Sequence, residues 1–517
     1  MKKKLNALAA MLLAMCMLLC ACGNQPGEQP SGQSGTVKNT LDNRTISDIT
    51  TFDPFATADI STQQVHYQIF DSLLYDDENG ELHPNICTDY TFSPDGDVIY
   101  FTIRDGVKFH NGDTVTAEDV VFSINTAIAS AFTSKVTSNL SSAELTPDGK
   151  VAVTLKAPVR GSIYAFASSN LAIVPKAVYE ADKDAFGKNP VGSGPFYLDS
   201  VKTGESITLK AFEDYWRGAA EIKTITTHVI SDNATAIMAL QSGSLDICQP
   251  SQDFSDRQAI IDNPNLAYYE APQPCFFFLC FNTESELMSN KTLRQAIAHA
   301  INTEELIMGA VNGVAYDNPA PMTKSAPEYP EGIEGITYDV ELAKKLLAEA
   351  GYPNGLDLTI RVIAATNYSK PAEIIQEQLK QININVRVEQ MERAAWNEQV
   401  YAGGDYDLSF WAHAITVLDG DFAMYPFFHS SQANGQGANM YNYKNPTVDR
   451  LLEEGRYEQD ETVRKEIYRE MCEIILDDAV LVPCYGVYRT MAANVNLKNV
   501  HADGMSRYYS YNYSWAD

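Results

Sequence analysis

The chain has 517 residues, a length that corresponds to about three to four domain-sized units rather than one ordinary core. Hydrophobic residues make up 45% of it, as in a soluble globular protein, and the formal net charge is −29 with a pI of about 4.6. So acidic a chain offers no basic surface to neutralise phosphates, which excludes a nucleic-acid partner. Solubility explains the acidity simply, and a cation-selective role is the alternative.

The N-terminus has the features of a secretory leader. Residues 1–4 are basic, residues 5–19 form an apolar segment of signal-peptide length, and Cys22 ends the sequence Leu-Cys-Ala-Cys. This ending resembles the bacterial lipobox, which implies a signal peptide over residues 1–22 and a lipid on Cys22. A plain signal peptide with an incidental cysteine is the alternative. Residues 23–40 are rich in Gly, Pro, Gln and Ser and predict a flexible tether.

The rest of the sequence contains no apolar run near 18 residues, so we expect the body not to span a membrane. Six of the nine cysteines lie in the body, with no Cys-x-x-Cys pair and no Cys/His cluster at zinc spacing. Cys275 and Cys280 lie five residues apart on a predicted strand and therefore point to opposite faces. We expect buried free thiols, no metal site and no cofactor.

Short strands and turns dominate the first half of the chain. Apolar residues at helical spacing predict a helix over residues 61–74, and strand patterns near residue 90 and over 98–104 flank a Pro-Asp-Gly turn. Thr116 is followed three residues later by Asp119, a capping-box pattern that predicts the start of another helix.

Residues 274–282 form an unbroken apolar run just past the middle of the chain. The run begins at a proline, is rich in aromatic residues and carries no charge, which predicts a strand buried on both faces. Phe276 and Phe278 share one face and Phe277 the other, so at most one set can line a cleft. In residues 291–301, shortly after this run, the apolar residues recur at helical spacing. We interpret the run as the seam between a strand-rich half and a helix-rich half.

The second half has the pattern of an α/β unit. Residues 339–351 predict an amphipathic helix that ends at a glycine. A strand over 356–363, a helix over 372–381 and a strand over 382–388 follow. This order predicts a right-handed βαβ unit with a parallel sheet. Further strands are expected over residues 406–410 and 479–485.

Motifs for catalysis are missing from the sequence. Nucleophile-elbow, zinc-protease and phosphate-loop patterns are absent, and the Lys202-Thr-Gly204 box has no Ser-x-x-Lys partner. The eight histidines are scattered, and His110 lies in a turn motif where we expect a structural role. We therefore predict a protein that is not an enzyme and has no catalytic residues.

The segment 411–422 is the best candidate for a binding site. It follows the predicted strand 406–410, and ligands of α/β sheets bind at loops beyond the carboxyl ends of strands. An aromatic wall beside polar groups suits a polar ligand. An ordinary surface loop with a core tryptophan is the alternative. The residues concerned are Trp411, His413, Thr416, Asp419 and Asp421.

A series of motifs in a constant order runs from about residue 45 to the C-terminus. It includes Phe101-x-Ile-Arg-x-Gly-Val-Lys-Phe-His110, Thr116-Ala-Glu-Asp-Val-Val-Phe-Ser123, Pro190-Val-Gly-Ser-Gly-Pro-Phe196, Tyr215-Trp-Arg-Gly218 and Pro446-Thr-Val-Asp-Arg-Leu-Leu452. These motifs resemble the signature of the family 5 solute-binding proteins. Members of that family are the oligopeptide-, dipeptide- and nickel-binding lipoproteins of ABC importers.

The resemblance implies an α/β fold of the two-lobe periplasmic-binding-protein type, in the large type II class with an inserted subdomain. Two interlobe segments would cross the hinge, the seam strand first and residues 485–492 second. The seam strand would also form part of the cleft floor. The implied ranges are 41–80, 186–278 and 490–517 for lobe I, 81–185 for its inserted subdomain, and 279–489 for lobe II.

The resemblance also implies ligand contacts, some of which are altered here. In the peptide-binding branch an aspartate at the position of Thr416 pairs with the ligand's ammonium group, and threonine cannot supply that charge. Asp419 or Asp421 could reach the ammonium instead, but the family often has aspartate at those positions as well, so neither compensates for the threonine. The dipeptide branch holds a carboxylate with an arginine, whose nearest match here is Lys370. Asn367, three residues earlier, is also expected to contact the ligand.

The nickel-binding branch uses histidine and tryptophan in the 411–422 segment, and His413 lies there, but its spacing does not fit that pattern. Other residues are expected to face the cleft, although each aromatic one among them could equally belong to the core. They are Asp59, Phe276, Phe278, Trp411 and Tyr441.

These features together give the hypothesis of an extracytoplasmic substrate-binding lipoprotein of an ABC transporter. It would capture a peptide-like or other small solute between two lobes and deliver it to the membrane permease subunits. It would be a lipid-anchored monomer at the outer face of the cytoplasmic membrane. The alternative is a surface signalling, adhesion or chaperone-like lipoprotein on the same scaffold.

Overall fold

Two large hydrophobic cores, built from different parts of the chain, organise the fold. The first draws on residues between Leu41 and Ile247 and again between Met491 and Tyr513. The second draws on residues between Cys275 and Val487. We call the two parts lobe I and lobe II. The computed structural model describes residues 38–77, 81–251, 254–415 and 417–516, so the predictions for the leader, for Cys22 and for Thr416 lie outside the described residues.

Lobe I begins with short strands and helices. The strands are β1 (Thr40–Thr45), β2 (Leu74–Asp76), β3 (Leu82–Pro84), β4 (Cys87–Phe92), β5 (Val98–Ile103), β6 (Leu140–Leu145), β7 (Val151–Leu155), β8 (Phe196–Lys202), β9 (Ser206–Ala211), β10 (Thr224–Val229) and β11 (Ile247–Cys248). The helices are α1 (Ile60–Ile69), α2 (Ala117–Ala129), α3 (Ser134–Thr137), α4 (Lys176–Ala181), α5 (Lys183–Phe186), α6 (Asn233–Ser242) and α7 (Arg257–Ile261), with 3-10 turns at Arg160–Ala167 and Ser169–Leu171.

Two four-stranded sheets, ordered β1-β10-β9-β8 and β4-β5-β7-β6, pack into the one core of lobe I. Helix α2 begins with the predicted capping box. The Asp119 amide donates to the Thr116 hydroxyl at 3.2 Å, and the Thr116 amide donates to the Asp119 carboxylate at 3.0 Å. These two bonds satisfy backbone donors that the first helical turn leaves free.

The predicted structural role of His110 is confirmed by its two backbone contacts. One ring nitrogen lies 3.0 Å from the Gly194 carbonyl oxygen, and the other accepts from the Gly192 amide at 3.2 Å. Burial lowers the pKa of His110 to about 4, so the ring is neutral and can both donate and accept. A Cβ atom on Gly192 would lie 2.1 Å from the Ile69 carbonyl oxygen, which explains the glycine.

Lobe II contains the rest of the helices and most of a six-stranded sheet. The strands are β12 (Leu266–Phe281), β13 (Leu356–Ile363), β14 (Ile384–Met391), β15 (Leu408–Ala414) and β16 (Leu481–Asn494). After β16 the chain returns to the core of lobe I, where it forms β17 (Leu497–Lys498) and β18 (Ser514–Trp515). The helices are α8 (Lys291–His299), α9 (Thr303–Val311), α10 (Val340–Glu349), α11 (Thr366–Leu379), α12 (Arg393–Trp396), α13 (Gly420–Phe428), α14 (Pro446–Tyr457) and α15 (Glu461–Asp477). A π-helix spans Asn397–Ala402, and 3-10 turns span Lys380–Ile382 and Ser430–Gln432. A further 3-10 turn, Ser510–Asn512, lies in the C-terminal segment of lobe I.

The central sheet has the order β11-β16-β12-β15-β13-β14. Strands β13 and β14 pair in parallel from Leu356 opposite Ile384 to Ile363 opposite Met391, as the βαβ pattern predicts. The intervening helix α11 begins at Thr366, earlier than predicted, because Pro371 is accommodated inside it. This proline lies in the second turn and removes one i→i−4 hydrogen bond, and the helix continues through it to Leu379.

Strands β12 and β16 join the lobes. They pair antiparallel from Leu266 opposite Asn494 to Cys280 opposite Leu481, with irregular register around residues 272–278. The strand predicted at 274–282 is therefore confirmed, but it begins earlier and its first half runs along lobe I. The six body cysteines are buried free thiols. No helix in the described residues is long and apolar enough to span a bilayer.

The segment 411–422 is not the loop that the sequence predicted. Strand β15 continues to Ala414, which lies opposite Cys275 on β12, and helix α13 begins at Gly420. Trp411 and His413 therefore lie in strand β15, paired with Phe278 and Phe276 of β12, and not in a loop. The prediction was wrong because sheet pairing with β12 extends the strand beyond its local sequence pattern.

Candidate ligand-binding site

A cavity of about 1000 Å³ lies between the two lobes. Pro272 and Pro274 of the joining strand β12 form part of its wall. Side chains from both lobes form the opposing sides, so a molecule in the cavity would contact both. The residues that matter most below are Tyr90, Arg160 and Tyr164 from lobe I and Lys324, Glu328 and Asp419 from lobe II.

The lobes touch at one edge of this cavity. Arg160, at the start of a 3-10 turn of lobe I, donates to the Gln459 carbonyl oxygen and to the Glu461 carboxylate at 3.0 Å. Both acceptors lie at the start of helix α15 in lobe II. The contact is partly exposed, so it contributes little to stability on its own.

A buried ion cluster forms the lobe II wall. Arg464 of α15 is 3% exposed and makes two hydrogen bonds, of 2.9 and 3.0 Å, to the two oxygens of Asp419. The same guanidinium group donates to Glu328, which also accepts from the Gly420 amide at 2.8 Å. The forked geometry of arginine suits this bidentate pairing with a carboxylate.

The cluster perturbs the pKa values of its members. Burial, followed by the charge on Asp419, raises the pKa of Glu328 to about 7. Burial alone would lower the pKa of Arg464, but the neighbouring carboxylates outweigh it and leave that pKa raised. Burial and the same carboxylates raise the pKa of Tyr164, across the cavity, to about 12. One guanidinium thus faces two carboxylates, and this wall is acidic when Glu328 is ionised.

Lys324 brings a positive charge to the same cavity. Its ammonium group lies 5.5 Å from the ring centre of Tyr316 and 5.9 Å from that of Tyr329, within the range of cation–π contacts. Lys465, which is exposed, also lines the cavity. The cavity therefore offers both signs of charge, as a zwitterionic ligand requires.

Four residues predicted to bind ligand meet in the core of lobe II and do not line this cavity. They are Phe276, Phe278, His413 and Tyr441. The His413 ring lies 5.4 and 4.6 Å from the two phenylalanine rings, and its Nε2 lies 2.6 Å from the Tyr441 hydroxyl. Burial holds the pKa of His413 well below its ordinary value.

Trp411 and Asp421 also have protein partners away from the cavity wall. The Trp411 ring stacks on Tyr368 at 5.0 Å and lies 4.4 Å from Trp396. Arg456 donates to both oxygens of Asp421 at 2.9 and 3.2 Å. Asp419 is the one predicted site residue of the described set that lines the cavity, and it is already bound by arginine.

Asp59, Asn367 and Lys370 lie outside the cavity as well. Asp59 caps helix α1, accepting from the Thr62 amide at 2.8 Å. Asn367 is exposed and Lys370 half-buried on helix α11. Their ligand contacts stay predictions.

Sequence reasoning missed Glu328, Arg464 and Tyr164. A signal for Arg464 existed, because it shares the buried side of α15 with Tyr468, Met471 and Ile475 at helical spacing. A charged residue on an otherwise apolar helix face needs a buried partner. No comparable local pattern marks the other two residues.

One group of potential metal ligands occurs in the described residues, at Asp77, Glu81 and His83. Their ligand atoms lie within 4.8 Å of one another, and His83 Nε2 is 3.1 Å from Asp77 Oδ2. The group lies at the surface, where acidic side chains commonly cluster without an ion. We assign no metal to it.

An α/β fold of two lobes, joined by two long strands and enclosing a cavity, defines the class of bilobal solute-binding proteins. Comparison with known families narrows this class. The family described as bacterial extracellular solute-binding proteins, family 5 Middle, matches residues 81–435, and the chain belongs to that family. The fold predicted from the motifs is thereby confirmed.

Three relatives illustrate the similarity. The oligopeptide-binding protein AppA of Bacillus subtilis is 27% identical over 535 aligned positions, which cover 96% of each chain. The structure of the binding protein DppA from Helicobacter pylori with the peptide STSA has a TM-score of 0.73 and 26% identity, covering 92% of this chain and 98% of that one. HbpA2 from Haemophilus parasuis shares the fold, with a TM-score of 0.86, 24% identity, and coverage of 93% and 100%.

Proposed function

We propose that the protein is the extracytoplasmic substrate-binding component of an ABC importer and captures a peptide-like solute between its lobes. The observation that carries this proposal is the interlobe cavity of about 1000 Å³ with charges of both signs on its walls. Its volume lies at the upper end of small-molecule sites. AppA is named an oligopeptide-binding protein, and the DppA structure holds a four-residue peptide, which supports the same ligand class.

Capture requires no covalent chemistry. A ligand that contacts both lobes stabilises the arrangement in which they are close together, and it therefore shifts the population toward that state. The contact of Arg160 with Glu461 forms in the same arrangement. The closed, loaded protein would then present its solute to membrane permease subunits.

Lys324 is proposed as an anchor for the ligand's carboxylate. Its ammonium group is held over two tyrosine rings at the cavity wall, so its position is partly fixed before a ligand arrives. Lys370, the match for this role in the family pattern, does not line the cavity, and its contact with a ligand stays a prediction. Thr416, at the position of the usual ammonium-binding aspartate, remains a predicted contact outside the described residues.

The proposal includes attachment to the membrane through a lipid on Cys22. The lipobox-like ending of the leader supports this assignment, and a flexible tether over residues 23–40 would leave the body free to move above the bilayer. We propose that the anchored protein acts as a monomer at the outer face of the cytoplasmic membrane.

Isothermal titration calorimetry with peptides of two to nine residues tests the proposal, together with native mass spectrometry for a co-purified ligand. We expect binding of at least one peptide class in a 1:1 ratio. A folded protein that binds no peptide and carries no ligand would refute peptide capture. Uptake of a bound peptide by cells lacking the gene tests delivery, and unchanged uptake would favour a signalling role.

A further inference from the structure

A second cavity, of about 270 Å³, lies within lobe I. It adjoins the interlobe cavity, because Asp77 and Arg507 line both. Its walls are unusually rich in tyrosine. The tyrosines that line it include Tyr67, Tyr75, Tyr215, Tyr509 and Tyr511.

The charges around this cavity have an excess of carboxylates. Asp71, Asp76 and Asp77 line it, against the guanidinium groups of Arg217 and Arg507. Arg507 is already engaged, since it donates to Asp76 and makes hydrogen bonds of 2.7 and 3.1 Å to Asp503. The cavity is therefore better suited to a cation than to an anion.

The carboxylate of Asp71 lies in the wall of this cavity, where three side chains donate hydrogen bonds to it. It accepts from Asn85 at 3.1 Å, from the Tyr215 hydroxyl at 3.2 Å and from the Trp216 ring nitrogen at 3.3 Å. Burial raises the pKa of Asp71 to about 6 even so. A bound cation would favour the ionised form of this carboxyl group.

Two buried polar atoms at this cavity have no protein hydrogen-bond partner. They are Oδ1 of Asn85, whose residue is 5% exposed, and Oγ of Ser510, whose residue is fully buried. Both residues line the cavity. A buried acceptor without a hydrogen bond destabilises the folded protein. A ligand that donates hydrogen bonds to these two atoms would remove that cost.

The tyrosine rings already accept a cation at the edge of the cavity. The guanidinium group of the exposed Arg217 lies 5.1 Å from the Tyr75 ring centre and 4.9 Å from that of Tyr511. Ring faces of this kind attract ammonium groups and also bury the apolar stem that carries them.

We propose that this lobe I cavity binds a small organic cation, a primary ammonium group on a short apolar stem. The ammonium would lie near Asp71 and Asn85 with its stem against the tyrosine rings. The cation could be a lysine-like side chain of the solute in the interlobe cavity, in which case the inference rests on the proposed function. It could equally be a free amine bound independently.

The direct test uses n-butylammonium as the probe and 1-butanol as its neutral counterpart, with binding followed by ligand-observed NMR. We expect the cation to bind roughly tenfold more tightly than the alcohol, as cation–π and charged hydrogen bonds predict. Asp71→Asn should abolish that preference, and Asp95→Asn, an exposed carboxylate on a distant turn, should not. Equal binding of the two probes would overturn the proposal.

Ala167→Leu provides a second variant that leaves every charge in place. Ala167 lines the cavity, so a larger side chain there should fill it and abolish butylammonium binding. Circular dichroism confirms that each variant is folded. Unchanged binding in both folded variants would also overturn the proposal.

Two peptides that differ only in carrying lysine or norleucine at one position distinguish the two possible sources of the cation. If the cavity takes a side chain, the lysine peptide binds roughly tenfold more tightly and competes with butylammonium. If the cavity takes a free amine, both peptides bind equally and butylammonium binds beside them. If no peptide binds, the proposed function fails, and the probe experiment still decides this cavity.

Discussion

The backbone of Gly161 in lobe I lies directly against the carboxylate of Asp419 in lobe II. A Cβ atom built on this glycine would lie 2.1 Å from Cγ of Asp419. The carboxylate cannot move aside, because Arg464 holds both of its oxygens. The absence of a side chain at residue 161 is therefore what allows the lobes to approach at this edge.

Gly161→Ala should hinder the closed arrangement. Overpacking of this kind costs about 1–3 kcal/mol, so we expect the ligand affinity to fall by about tenfold while the isolated lobes stay folded. Calorimetry measures the affinity, and small-angle scattering measures whether ligand still reduces the radius of gyration. Gly149→Ala is the control, since it strains a distant turn at positive φ without touching the cavity. Equal affinity in Gly161→Ala and wild type would contradict the role of this contact.

Arg464→Met should strongly destabilise the protein. The change leaves Asp419 and Glu328 buried without their cation, and breaking a buried ion pair in this way costs about 3–5 kcal/mol. Chemical denaturation measures the free energy of unfolding. Arg450→Met is the matched control, because this exposed arginine pairs with Glu454 one turn away and its loss should change the free energy of unfolding little. Similar losses in the two variants would show that the buried cluster is not a structural element.

Glu328 should make stability fall as the pH rises from about 5 to 7. Its pKa in the folded protein is raised to about 7, above the ordinary value of 4.5, so the folded state binds its proton more tightly than the unfolded state does. The protonated form therefore favours folding, and this contribution is lost as the pH passes the folded pKa.

The Glu328→Gln variant checks this pH dependence. Glutamine keeps an acceptor for the Gly420 amide but cannot titrate. Its free energy of unfolding should lack a wild-type decline of about 1 kcal/mol per pH unit in this range. Parallel stability curves for the variant and the wild type between pH 5 and 7 would assign the titration to other groups.

Lys324→Met should weaken binding of peptides that end in a free carboxylate. The loss of one charged hydrogen bond predicts about a tenfold fall in affinity. Peptides with an amidated C-terminus should bind the variant and the wild type equally. Lys344→Met, an exposed lysine paired with Glu341 on helix α10, is the matched control. A tenfold loss for amidated peptides as well would show that Lys324 acts without contacting the carboxylate.

Cys22→Ala should release the protein from the membrane. Without a lipidated cysteine the leader supplies no acyl chains to bury, so we expect the protein in the soluble fraction and no incorporation of labelled palmitate. Cys20→Ser is the matched control, since this cysteine lies two residues earlier in the same leader. Membrane retention of the Cys22→Ala protein would favour an anchor other than this lipid.

Local patterns predicted the elements whose periodicity is strong. The strand at Leu356–Ile363 has the predicted bounds, and helix α2 begins at the predicted capping box of Thr116. The sequence predicted the seam strand because a charge-free run of aromatic residues is stable only when both of its faces are buried. Its full length was missed, since residues 266–273 are partly exposed and have no such pattern.

The candidate site was much harder to predict. Phe276, Trp411 and His413 were expected near the ligand, but pairing of β15 with β12 places all three in the packed sheet of lobe II. Aromatic residues beside a cleft and aromatic residues in a core have the same local sequence. Which of the two they become depends on the strands that pair with them.

The sequence by itself determined the class of fold through its series of motifs, and it determined the seam between the halves and the net acidity through local periodicity and composition. Only the tertiary structure decided the cavity. Tyr164, Glu328 and Arg464 are separated by more than a hundred residues along the chain, yet all three line one cavity. Their meeting depends on how two separately packed cores are joined by β12 and β16, and no local pattern records a contact between such distant segments.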